Sequence, residues 1–254
     1  MDKWKKRTSL LIGEAGIKLL ENAHVLVIGL GGVGAYAAEQ LCRAGIGKMT
    51  IADGDVVEET NRNRQLPSLI SNTGKPKAEV LAERFLDINL KLKLTVINEY
   101  LSDERILEVI NSDDFDYAVD AIDTLSPKTL LIYHCVQKGL PVISSMGSGG
   151  KFDPSKVEVA DISKSYNCRL AKMLRKRLHR MGIRKGVKVV FSSELTDRSK
   201  IIIEEGQNKK SAVGTISYMP PVFGCFIASA VIRDLLSNTH MPGDENENLT
   251  PLEE

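Results

Sequence analysis

Three stretches of the chain carry residue types whose spacing could do chemistry on a nucleotide. The first is VLVIGLGGVG from Val25, which sets Gly29, Gly31 and Gly34 in the pattern G-x-G-x-x-G, with Gly32 between them. It follows an apolar run and precedes a helical pattern. Glycines there let the backbone turn tightly and approach a phosphate chain, whose charge meets the N-terminus of the following helix. Asp53 closes the next apolar run 24 residues after Gly29, where an acidic side chain can bind ribose hydroxyls. NAD and ATP both offer ribose and phosphates, so these residues do not choose between them.

The second stretch, DGDVVEETNRNRQLP from Asp53, discriminates. A dehydrogenase has no use for Arg62, Arg64, Asn61, Asn63 and Gln65 directly after the ribose-binding strand. A nucleotidyl-transfer site does, because charge develops on the α-phosphate and on departing pyrophosphate. Arginine suits it, having a planar fork of donors. In TGKPKAE, Pro76 can begin a helix and Lys77 projects from its first turn. The third stretch, DAIDT, ends a strand with Asp120 and Asp123, and beside a triphosphate Asp123 is a sensible magnesium ligand. Taken singly, a solvated loop is the lesser alternative for the arginines, whereas a plain surface position is the favoured reading of Lys77. Their ordered combination argues against both.

The elements that must position these groups alternate. Expected strands are Val25–Ile28, Met49–Ala52, Leu94–Asn98, Tyr117–Asp120 and Val142–Ser145, with helices near Val33–Arg43, Lys77–Asp87, Asp103–Ile110 and Pro127–Lys138. That order implies an α/β fold, a Rossmann-like, doubly wound, mostly parallel sheet with right-handed crossovers. A helix over Ser9–Glu21 precedes it, with Leu11, Ile12, Ala15, Leu19 and Leu20 apolar. After Gly147–Gly150 the character changes to an α+β portion. Strands VEVADI and VKVVFS flank a basic helix, CRLAKMLRKRLHRM, in which Leu170, Leu174, Leu178 and Met181 recur at helical spacing. A last helix runs from Pro220–Pro221 to Leu236. The division expected is residues 1–150 as an ATP-binding core, 151–237 as an extension packed on it, and 238–254 as a disordered acidic tail.

Apolar content of 43% and charged content of 26% fit a soluble globular chain. No apolar run approaches the roughly 20 residues of a membrane helix, and no signal peptide is visible, so the cytoplasm is expected. Cys42, Cys135, Cys168 and Cys225 form no C-x-x-C pair, so no zinc is expected. Three read as small core residues, and Cys168, in a polar segment, as a partly exposed bystander. Net charge is +1, yet Ile162–Ser193 holds ten Lys/Arg and no acid, which leaves the rest of the chain at −9. Such asymmetry points to a polyanionic partner. A solvated cationic face is the bland alternative.

In order, GLGGVG, DGD, TNRNRQ, GKPK and AID resemble the ubiquitin-activating-type (ThiF/MoeB-like) adenylyltransferases, which activate sulfur carriers in the molybdopterin and thiamine pathways. The resemblance implies ATP and Mg2+ on Gly29, Gly31, Gly32, Gly34, Asp53, Asp55, Asn61, Arg64, Gln65, Lys77 and Asp123. Asp53 would bind ribose, Asn61, Arg64 and Lys77 the phosphates, and Asp123 the metal, with Arg64, Lys77 and Asp123 catalytic. It also implies a homodimer in which an N-terminal arginine, here Arg7, reaches the partner's site. The paired C-x-x-C motifs of the sulfur-carrier activators are missing. Instead RTSLLIGE, GSGGKFDPSKVEVADIS, VVFSSE and GTISYMPPVFGCFIASAVIRDLL resemble the tRNA threonylcarbamoyladenosine dehydratases, extending the likeness from about Arg7 to Leu236.

That resemblance implies ATP-dependent cyclisation of a threonylcarbamoyl side chain beside the tRNA anticodon. The carboxylate is adenylated and then captured intramolecularly, so no transferable cysteine is needed. The tRNA would lie on Arg169, Lys172, Arg175, Lys176, Arg177 and Arg180. A sulfur-relay protein partner stays open. The alternatives are an adenylyltransferase acting on the C-terminus of a sulfur-carrier or ubiquitin-like protein, a NAD-dependent oxidoreductase, and a non-catalytic RNA-binding scaffold.

Overall fold

The apolar runs become strands of one sheet. His24–Ile28 (β1), Lys48–Ala52 (β2), Lys93–Ile97 (β3), Tyr117–Asp120 (β4), Val142–Ser145 (β5), Val157–Asp161 (β6) and Lys188–Ser192 (β7) lie in the order β3-β2-β1-β4-β5-β7-β6. Every pairing is parallel except β6–β7. The computed structural model describes residues 2–197, 199, 201–202 and 212–237. The tail expected to be disordered, 238–254, lies outside the described residues.

β1 and β4 are buried along their whole length, as strands covered on both faces must be. Alternate residues feed two cores. Val25, Val27, Met49, Ile51 and Val119 face one side, packed with helices α1 (Lys6–Asn22), α2 (Gly34–Ala44), α3 (Lys77–Ile88) and α7 (Met219–Leu236). Leu26, Ile28, Ala52, Ala118 and Phe191 face the other, under α4 (Asp103–Asn111), α5 (Leu125–Lys138) and α6 (Arg169–Arg180). Each fully buried aliphatic or aromatic side chain contributes about 1.5–3 kcal/mol by leaving water. β7 hydrogen-bonds to β5, and α7 packs on α2, where a Cβ on Gly224 would stand 2.6 Å from the Val33 carbonyl oxygen. The segments after residue 150 therefore share the sheet and core of those before it.

The elements fall within a few residues of expectation, with four differences of substance. α1 is kinked at Gly13 (φ 72°), which resets the phase of its apolar face. Gly16, Ile17 and Leu20 are buried, whereas Leu11, one of the apolar residues of the expected helix, is 72% exposed. Cys168 is buried rather than partly exposed; it caps α6, its sulfur accepting the Ala171 N–H at 3.5 Å. Cys225, expected in the core, is exposed, because the buried stripe of α7 runs through Phe223, Gly224, Ile227, Ala228 and Val231 and leaves it off-face. Finally, α7 is long and apolar enough, by length and composition, to cross a membrane, contrary to the expectation from run length; here it packs against α2 and the sheet.

Candidate active site

Strand order reverses between β1 and β4, opening a crevice at the carboxyl ends of the strands, where α/β folds bind ligands. The turn after β1 is built by steric necessity. Gly29 has φ 89°, and a Cβ there would lie 2.7 Å from the Ala121 carbonyl oxygen; at Gly34 it would lie 1.8 Å from that of Gly29. No other residue fits either position. Gly31 is different. Its missing Cβ faces open space, with only the Gln65 amide nitrogen within 4 Å among the described residues, at 3.8 Å. This is the one point of the motif where a phosphate can approach the backbone.

Asp53 follows β2. Its carboxylate accepts the Leu30 N–H at 2.5 Å and the Asp55 N–H at 2.8 Å, which ties the end of β2 to the glycine turn. Burial pushes this carboxyl up from its ordinary value, while those two N–H groups and the Lys77 cation pull it down. Lys77 opens α3 and is only 3% exposed, so the plain surface position is excluded. Its ammonium donates to Asp55 at 2.7 Å, and the Tyr100 hydroxyl donates to the same carboxylate, which pushes the phenol up to about 12.

The 59–65 loop backs onto the turn. Asn61 is buried and forms a capping box with Glu58. Of the two arginines, Arg62 pairs with Glu59. Arg64 donates to the Thr60 carbonyl at 3.0 Å and the Asn63 amide oxygen at 2.7 Å, and among the described residues it meets no carboxylate. The Gln65 side-chain oxygen is buried with no hydrogen-bond partner among the described residues, beside the open position of Gly31. A buried polar atom without a partner costs about 1–3 kcal/mol, so this atom and the open cradle at Gly31 fit a ligand with donors and phosphate. Asn63 reaches the Thr215 carbonyl at 3.0 Å, and Pro220 at the head of α7 lies against Gly32.

β4 ends at Asp120, and the two aspartates of DAIDT part ways. Asp120 is fully buried, ion-paired at 2.8 Å with the equally buried Lys128 of α5. It also accepts from the Ser144 hydroxyl at 2.6 Å and the Ile122 N–H at 3.1 Å, while Lys128 donates to the Ile122 carbonyl at 2.9 Å. Burial raises the Asp120 carboxyl, and the Lys128 cation opposes it. Asp123 is exposed on the loop these bonds fasten. Lys128 escaped the sequence reading because it sits in the apolar opening turns of α5. Its signal was a lysine eight residues beyond a strand-terminal Asp.

The basic helix buries Ala171, Leu174 and Leu178 and exposes Arg169, Lys172, Lys176 and Arg180. Two of the expected outward arginines turn back. Arg175 is bound to the Ser165 carbonyl at 2.7 Å, and Arg177 to the Ser126 hydroxyl at 2.8 Å. Lys188 pairs with Asp234.

Comparison with known proteins agrees with this geometry. A tRNA threonylcarbamoyladenosine dehydratase of Bacillus subtilis is 36% identical over 244 residues, covering 91% of this chain and 94% of that protein. The crystal structure of the E. coli tRNA N6-threonylcarbamoyladenosine dehydratase in complex with ATP superposes with a TM-score of 0.85 at 34% identity, covering 94% of this chain and 97% of that one. A molybdopterin-synthase adenylyltransferase of Salmonella typhimurium is 33% identical, but over 129 residues, 51% of each chain. The ThiF family model matches residues 6–252, which takes in the glycine turn, the crevice and the basic helix alike, and the chain belongs to the ThiF family.

Proposed function

We propose that this protein is an ATP-dependent tRNA-modifying enzyme that cyclises threonylcarbamoyladenosine with loss of water. The observation that carries this reading is that the likeness to the dehydratases runs through the crevice and the basic second half together, whereas the adenylyltransferase likeness stops at half the chain. ATP fits the crevice: the open backbone at Gly31 and the unpaired Gln65 oxygen supply a cradle, Asp53 a ribose acceptor, and Arg64 a guanidinium with no carboxylate partner among the described residues. Magnesium fits the exposed carboxylate of Asp123, since Mg2+ beside a nucleotide needs one or two protein carboxylates and takes its other ligands from phosphates and water. When bound, it neutralises phosphate charge.

A carboxylate is a poor electrophile until one of its oxygens becomes a leaving group. The threonyl carboxylate oxygen attacks the α-phosphorus and pyrophosphate departs. A nucleophile within the same side chain then attacks the acyl carbon, loses its proton and expels AMP, which carries off the carboxylate oxygen. Arg64 and Lys77 meet the charge that grows on the phosphates. Lys77 is held for this by Asp55, which fixes its ammonium beside the Asp53 end of the crevice. The tRNA backbone lies on the exposed bases of α6, Arg169, Lys172, Lys176 and Arg180.

The protein works as a homodimer. Supporting this, Leu10 and Leu11 are 78% and 72% exposed on the segment before the Gly13 kink, next to exposed Arg7 and Trp4.

The test is to incubate the protein with ATP, Mg2+ and tRNA bearing the linear modification, then follow the nucleoside by mass spectrometry. Loss of one water with release of AMP is expected. AMP formation with a carrier protein and none with tRNA would favour the adenylyltransferase alternative instead.

A further inference from the structure

Beyond its exposed face, α6 has an inner edge that meets α5 and α4, and the seam is not closed. A cavity of about 370 Å³ opens there, lined by Asp103 of α4, Ser126 and Leu130 of α5, and Arg177, Arg180 and Met181 at the end of α6. Met181 also lines a second cavity of about 500 Å³, to which Arg184 and Lys185 contribute. Together these supply four cations against one carboxylate. The apolar wall comes from Leu130 and Met181, and Ser126 adds a hydroxyl.

We propose that this seam is a binding track for single-stranded RNA, its first cavity holding one nucleotide next to the modified adenosine. The proposal rests on the tRNA-dehydratase reading above and goes further by assigning a site. The chemistry matches part by part. Arg177 and Arg180 can take a phosphate as planar forks, Asp103 can accept from ribose hydroxyls, and Leu130 and Met181 offer apolar contact to a base. Single-stranded loops, with bases free to splay, are what proteins read in RNA. A protein partner would need a counter-charge for four bases from a narrow groove; an RNA strand brings one phosphate per nucleotide.

The location ties the track to the crevice. Arg177 donates to the Ser126 hydroxyl at 2.8 Å, and Ser126, in the first turn of α5, follows Asp123 by three residues. A phosphate drawing on Arg177 competes with that bond, so the strand is registered against the same short segment that carries Asp123. Arg177 is thus a positioning residue as well as a phosphate contact.

The test measures binding of an unmodified tRNA transcript by fluorescence anisotropy across a KCl series, with ATP affinity and thermal melts as controls for folding. Ser126→Trp fills the first cavity without changing charge, and is expected to weaken binding roughly tenfold, the loss of one nucleotide's contacts, with the salt slope unchanged. Arg177→Met is expected to weaken binding and reduce the slope by about one. Lys172→Glu/Lys176→Glu probes the outer face alone. If only that pair weakens binding, the track is overturned while the RNA reading stands. If no variant alters binding, the track and the RNA surface on α6 both fall. An anisotropy loss in Ser126→Trp accompanied by lost ATP affinity would mean a damaged loop, and would also overturn the track unless Arg177→Met, with ATP affinity intact, reproduces the tRNA defect.

Discussion

Asp123 and Lys128 divide one task between them. Asp123 is exposed at the crevice, five residues before Lys128, which is fully buried against Asp120 and bonded to the loop carbonyl of Ile122. Replacing the exposed residue empties no space in the core, whereas replacing the buried one does. Asp123→Ala should abolish turnover while leaving the unfolding free energy within about 0.5 kcal/mol of wild type. Lys128→Met should destabilise the fold by about 3–5 kcal/mol, because it strands the Asp120 carboxylate in the core. Chemical denaturation beside the mass-spectrometric assay separates the two. A stable, fully active Lys128→Met protein would show that the buried pair does not hold the loop. Lys77 is the middle case, buried yet paired with a half-exposed carboxylate at the crevice.

At the scale of elements, β1 and β2 are joined beneath the glycine turn by a histidine. His24 is buried, with Nε2 2.9 Å from the Thr50 hydroxyl. Its pKa is lowered, first by burial and then by the Lys48 cation, with Asp113 opposing. A histidine whose folded pKa lies below the unfolded one contributes stability that is present above the unfolded value and lost as pH falls through the folded one. Stability should therefore decline from pH 7 towards pH 5, by at most about 1.4 kcal/mol per pH unit from this group. His24→Gln should flatten that decline in urea titrations at each pH, since glutamine does not take up the proton. An unchanged slope would assign it to other groups.

For the whole molecule, the outward face of the segment before Gly13 is a feature the packing of a single copy does not use. Two adjacent leucines more than 70% exposed contribute nothing to a single copy's core. In a second copy's interface they would bury apolar surface at about 25 cal/mol per Å². The wild type should sediment as a dimer, and Leu10→Asp/Leu11→Asp as a folded monomer with its melting behaviour little changed. A monomeric wild type, or a variant that stays dimeric, would move the interface elsewhere.

The sequence by itself determined the architecture and named the candidates for nucleotide contact. Alternation of short apolar runs with helical periods specifies a doubly wound sheet, and glycine at positions 29 and 34 is imposed by backbone approaches that a Cβ forbids. The alternation and the Gly34 approach are local, written in residue type and spacing; the Ala121 carbonyl that crowds Gly29 arrives from the end of β4, yet the glycine motif already marks the position. Only the tertiary structure decided which polar groups are buried and which are exposed. Asp120 and Asp123 look alike in DAIDT, yet one is locked to Lys128 and one faces water, because α5 crosses over the end of β4. Arg175 and Arg177 belong to the same charge run as Lys172 and Lys176, but carbonyl and hydroxyl groups from other elements hold them inward. The burial of Cys168, the exposure of Cys225 and the seam between α5 and α6 come from the same source. Burial depends on which neighbour covers a face, and that is a property of packing across the chain rather than of any one stretch of it.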